Sequence, residues 1–220
     1  MTKQSLSLFL LLTLVSFITF AFEDLPFDDD ILVIDGCELI EETTCEGADL
    51  SGKDLSNLDL RDSTFINVKF NNADMRHVNL NGARLQRCDL TGADLTLASL
   101  KLANVKGSTF NDATLDSIDG WSLFAQGVNF QNASLVGANL NHSRLSGAKM
   151  QNSALVAARM EHVWMNKINL KGANLTNATV QESKLNNSNL SEAIFTGTRI
   201  HFATFQDAFM EGCTDCPFDW

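Results

Sequence analysis

From Leu50 to Met210 every fifth residue is large and apolar, with two exceptions, Gly120 and Ala125. A helix repeats near 3.6 residues and a strand near 2.0, so neither produces this spacing. Two residues before each of these 33 central positions the chain favours something small: 16 are Ala and six are Ser. GADLS, NADMR, GARLQ, GADLT, GANLN, GAKMQ and GANLT show the pattern directly. The register never slips, so the chain stacks equivalent short units. One large and one small inward residue per unit suit an interior too narrow for two large side chains. Two residues after the centre the chain often carries Gly, Asn or Asp, as at Gly52, Asn57, Asp62 and Gly82. Those types tolerate the backbone of a corner. Both prolines, Pro26 and Pro217, lie outside the array, as a backbone ladder requires.

The pattern resembles the pentapeptide-repeat family, whose consensus is A(D/N)LXX, and the resemblance covers Ala48 to Gly212. It implies an all-β fold, a right-handed quadrilateral β-helix with one unit per side and about eight coils, roughly 40 Å long at 4.8 Å per coil. Residues 1–21 then read as a signal peptide, 22–47 as an acidic N-terminal cap, 48–212 as the β-helix and 213–220 as a C-terminal cap. Both open ends of such a rod need covering. FEDLPFDDDILVIDGCELIEE is expected to cover the first coil, and an aromatic cluster of Phe202, Phe205, Phe209, Phe218 and Trp220 the last. Gly120 and Ala125 underfill the interior, so a bulged coil is expected at 116–126, with Trp121 or Phe124 folding back. The alternative is an outward loop.

Lys3 precedes an apolar run from Leu6 to Phe22 with Ala21 as a cleavage residue, the composition of a secretory signal. An uncleaved membrane anchor is the alternative. An exported location follows: periplasm, thylakoid lumen or outside the cell. There cysteines oxidise, and the pairs Cys37 with Cys45 and Cys213 with Cys216 read as disulfides that pin the caps. A redox site at Cys213 and Cys216 would need a helix N-terminus to activate the first thiol. Cys88 sits at a small inward position, where a thiol behaves as a small hydrophobe.

With four units per coil, outward residues twenty apart stack in columns. One column holds His142, His162 and Glu182, residue types that bind transition metals, although arbitrary polar residues also fall into columns. A second holds Phe124, Arg144, Trp164 and Lys184, an aromatic and basic ladder of the kind that anchors protein interfaces. No phosphate loop, nucleophile elbow or zinc-protease motif occurs. The expectation is a non-catalytic, cofactor-free scaffold that binds another protein, as monomer or dimer, without nucleic acid. It touches a membrane only if the apolar run stays uncleaved.

The resemblance also implies an alternative: mimicry of duplex DNA that blocks a type II topoisomerase. Such a mimic needs negative charge along the rod. Of the net charge of -11, residues 22–49 supply eleven acids and no base, while 50–220 hold sixteen acids against fifteen bases. The charge distribution and the signal peptide both disfavour mimicry.

Overall fold

Short sides alternate with tight turns because each unit has only five residues in which to extend and turn. The structure, a computed structural model, describes residues 31–217. The expected signal peptide, the first part of the acidic cap and the aromatics Phe218 and Trp220 lie outside the described residues. Five strands are long enough to name: β1 (Val33–Ile34), β2 (Cys37–Glu38), β3 (Thr44–Glu46), β4 (Thr64–Ile66) and β5 (Arg84–Gln86). The last three form a parallel sheet in order β3-β4-β5 with a register of twenty residues. The same register continues as single parallel bridges, from Asp49 with Lys69 to Ile194 with Thr214. Leu50 N–H donates to Lys69 O at 2.8 Å, and Lys69 N–H donates to Ala48 O at 3.0 Å. Repeated along the chain, these bonds satisfy the backbone coil by coil. This is the quadrilateral β-helix that the repeat implies. Among the described residues no helix is long enough and apolar enough to cross a membrane.

Two details explain the repeat chemically. From Glu42 to Gly212 every residue two after a centre has a left-handed φ, between 54° and 82°. Gly, Asn and Asp hold 21 of these 35 corners, the types for which that conformation is least strained. Asp or Asn just before the centre caps the turn: Ser51 N–H donates to Asp49 Oδ1 at 3.1 Å, and Ser56 N–H to Asp54 Oδ1 at 3.0 Å. Hydrogen bonding from Ser51 and Ser56 holds the Asp49 and Asp54 carboxyls below the ordinary range.

Inside, the large centres and small partners form one continuous core that reaches from Cys37 to Cys216. Inward serines are satisfied by backbone. The Ser108 hydroxyl donates to Leu85 O at 2.9 Å and accepts Cys88 N–H at 2.9 Å. Cys88 is free and buried, and burial pushes its thiol up to about 11.

The bulge expected at 116–126 is absent. Asp119 bridges Ser99 and Asn139, and Phe124 bridges Asn104 and Arg144, in unbroken register. Gly120 N–H donates to Asn139 O at 2.8 Å and Ala125 N–H to Arg144 O at 2.9 Å. The reason is an exchange of volume within each unit. Ile118 and Leu123, both buried, occupy the position that usually takes a small residue. A Cβ added at Gly120 would lie 3.0 Å from Leu140 Cδ2 and 3.6 Å from Ile118 Cδ1. No void calls Trp121 inward, and it stays 42% exposed.

The ends differ from expectation in their details. β1 and β2 form an antiparallel hairpin. Its turn residues Asp35 and Gly36 have φ of 50° and 74°, as a tight hairpin turn of Asp-Gly requires. Asp49 N–H donates to Asp35 Oδ2 at 2.8 Å, and Cys37 and Leu39 bury against the core. The Cys37–Cys45 disulfide ties this hairpin down, with Cα atoms 5.3 Å apart. Cys45 lies in β3, so the ladder begins before residue 48. At the other end it reaches Thr214, and Cys213 and Cys216 are bonded with Cα atoms 5.8 Å apart. Phe205 is buried and packs edge-on against Phe195 at 6.3 Å. Phe202 and Phe209 do not close the coil; both are more than half exposed. Phe202 is a corner residue and Phe209 bridges Asn189 from an outward position, so backbone register overrides their hydrophobicity.

Two measurements check this packing. Gly120→Leu, which restores the usual large centre, is expected to lose about 1–3 kcal/mol in urea unfolding through overpacking. Adding Ile118→Ala should recover most of that loss. A single variant as stable as wild type would show an underfilled interior. The capping carboxyls give a pH signature. Their folded pKa lies below the unfolded value of about 3.9, so their contribution is complete above that pH and is lost as pH falls through the folded value. Melting temperature should therefore drop below about pH 4. Asp49→Asn with Asp54→Asn, which keeps the acceptor oxygens, should flatten that drop.

Candidate functional site

Outward residues on successive coils face one another because the backbone pairs residue i with i+20. Phe124, Arg144, Trp164 and Lys184 are consecutive bridge partners. The Arg144 guanidinium carbon lies 5.0 Å from the Phe124 ring centre and 5.6 Å from that of Trp164. Lys184 Nζ lies 5.5 Å from Trp164 on its other side. Arg144 is thus sandwiched between two rings, and Trp164 between two cations, which favours both through the ring quadrupoles. Trp164 remains 55% exposed. Among the described residues neither Arg144 nor Lys184 takes part in an ion pair, whereas Arg61, Lys69, Arg76 and Lys101 each pair with a carboxylate. The two ladder cations are held by rings.

The neighbouring corner carries the second column. The His142 and His162 rings stack 5.1 Å apart at 10°, and His162 Nδ1 lies 3.3 Å from Glu182 Oε2. Trp121 meets His142 edge-on at 5.7 Å. The column is real, but its geometry suits stacking. Near-parallel rings aim their nitrogens in parallel directions instead of at one point. Among the described residues no group of three His, Cys, Asp or Glu side chains converges to hold a metal ion.

Sequence reasoning missed Leu97 and Leu102, exposed in or beside these columns, and expected either the exposed Trp121 or Phe124 to fold inward. A signal for the two leucines was available. Leu97 and Leu102 occupy left-handed corners, where a large branched side chain has no packing role and carries strain. Two hollows also lie near the C-terminal end. One is about 320 Å³, between Lys171, Glu192 and Phe209, and the other about 390 Å³, between Asn186, Thr204 and Gln206. Neither is lined by a His or Cys side chain.

A β-helical repeat protein with an aromatic and cationic face is therefore the class that fold and surface define. The family model described as the pentapeptide repeat region matches residues 40–119, and that of pentapeptide repeats (8 copies) matches 126–161, 153–191 and 173–212. The chain belongs to the pentapeptide-repeat family. Among solved structures it is similar to HetL, a pentapeptide repeat protein involved in heterocyst differentiation regulation from the cyanobacterium Nostoc sp. strain PCC 7120. They share 26% identity over 80% of this chain and 89% of HetL, with a TM-score of 0.50. A pentapeptide repeat protein from the Arabidopsis thaliana thylakoid lumen is 30% identical over 60% of this chain and 63% of its own, with a TM-score of 0.26. A trypsin-treated variant of QnrB1, a plasmid-mediated fluoroquinolone resistance protein, is 18% identical over 78% of this chain and 91% of its own, with a TM-score of 0.43. No curated protein matches the chain.

The ladder can be weighed directly. A double-mutant cycle of Arg144→Ala with Trp164→Leu is expected to give a coupling of about 0.5–1 kcal/mol in chemical denaturation. A coupling of zero would show that cation and ring stand side by side without attracting.

Proposed function

We propose that the protein is a non-catalytic scaffold of an exported compartment that binds another protein through the face carrying Phe124, Arg144, Trp164 and Lys184. The observation that carries this reading is the exposed cation–π ladder, with Trp164 more than half in solvent and two cations that lack carboxylate partners among the described residues. Tryptophan and arginine dominate binding hot spots because a rigid ring and a planar fork bury large area at little entropic cost. Here both are already ordered by stacking, which lowers the entropy lost on binding. The apolar run with Lys3 and Ala21 supports export, and the disulfides suit an oxidising compartment. Mimicry of duplex DNA fits less well, because unpaired cations on a principal face oppose it.

The test is an affinity capture from the exported fraction with wild type and Trp164→Ala side by side. A partner that wild type retains, and that the variant loses at least about tenfold, is the expected result for a hot-spot residue. Equal recovery by both proteins removes this face from the reading. Sequencing the amino terminus checks the location: a mature chain beginning at Phe22 is expected, and an unprocessed chain in the cytoplasm would remove export.

A further inference from the structure

The same face changes its charge along the rod. At its N-terminal end the exposed acids Glu42, Glu46 and Asp62 have no ion-pair partner among the described residues. Near its middle stand Leu102, 54% exposed, with Trp121 and Phe124 one coil further on. Toward the C-terminal end follow Arg144, Trp164 and Lys184, likewise without a carboxylate. Glu42, Asp62 and Leu102 share one corner column, which continues through His142 and His162 to Glu182, whose carboxylate lies 3.3 Å from His162 Nδ1. Glu46 lies on the adjoining side, on the other flank of the buried centre Cys45, and that side also carries Arg144 and Lys184. An acidic zone, an apolar one and a zone where Arg144 and Lys184 face the single, histidine-paired acid Glu182 thus succeed one another over seven coil steps, roughly 34 Å at the usual strand spacing.

We infer that this face pairs with the same face of a second copy, in antiparallel orientation about a two-fold axis near Leu102. The inference rests on reading the face as a protein-binding surface, and it names the partner. A two-fold contact must be self-complementary, since each patch meets its mirror in sequence order. Reversal of one rod brings its acidic zone onto the basic zone of the other, and the apolar middle onto itself. The charges then meet twice, once at each end, and Leu102 and Trp121 are covered between them. Arg84, an exposed outward residue of β5, comes opposite the Phe124 level of the partner and extends the cation–π pattern. Lys106 falls near the axis and meets its own copy, a repulsion that long flexible side chains reduce by splaying apart. A parallel pairing would instead set acid on acid and base on base.

Sedimentation of the purified mature chain tests this. Wild type is expected to dimerise at low salt, with an affinity at least about tenfold weaker at 0.5 M salt because the charge zones are screened. Two variants provide the decisive comparison. Arg144→Glu with Lys184→Glu makes the face acidic at both ends, and Glu42→Lys with Glu46→Lys and Asp62→Lys makes it basic at both ends. Each alone is expected to be monomeric. Their mixture is expected to form a one-to-one heterodimer, which also proves that both are folded. Monomeric wild type at low salt overturns the pairing while leaving a captured foreign partner unaffected. Variants that still dimerise alone, or a mixture that stays monomeric, overturn it equally.

Discussion

Everything in this rod depends on the hydrogen bonds that join each residue to the one twenty further along the chain. They satisfy the backbone of each coil with the backbone of the next. They also fix which side chains are neighbours. A side chain does not choose whether to point inward; its place within its unit decides. Corner geometry, the inward pair and the outward columns are all consequences of that one register.

This dependence explains how much of the molecule was legible beforehand. The period of five alone reveals the coil and places Phe124 under Arg144 and His142 under His162. What failed were inferences from side-chain character. Phe202 and Phe209 were expected to cover the last coil because they are aromatic, yet their positions in the unit leave them exposed. Gly120 and Ala125 were expected to break the coil because they are small. Judging each central residue alone hid the compensation by Ile118 and Leu123, since the interior responds to the volume of the pair. The N-terminal hairpin was legible in principle: Asp35-Gly36 between apolar residues is a strong short-range turn signal.

The candidate face was half legible. Column arithmetic found the ladder and the histidine stack, but it read only residue types suited to chemistry. Leu97 and Leu102 carry none, and they drew no notice as ordinary members of a polar corner. Only their exposure and left-handed backbone together mark them as residues retained against local cost. The histidines show what proximity alone leaves open: the column placed two rings and a carboxylate together, and ring orientation, which a sequence does not encode directly, makes that contact a stack.

The register has a further consequence for how such a surface changes over generations. Gain or loss of one five-residue unit leaves every inward position inward, so the core survives. Every outward residue beyond that point, however, moves round the rod by a quarter turn and acquires new neighbours. A change of twenty residues restores the old neighbours and alters only the length. The interior and the surface of this protein are therefore inherited under different rules: the core is indifferent to the number of units, and a binding face is remembered only modulo four.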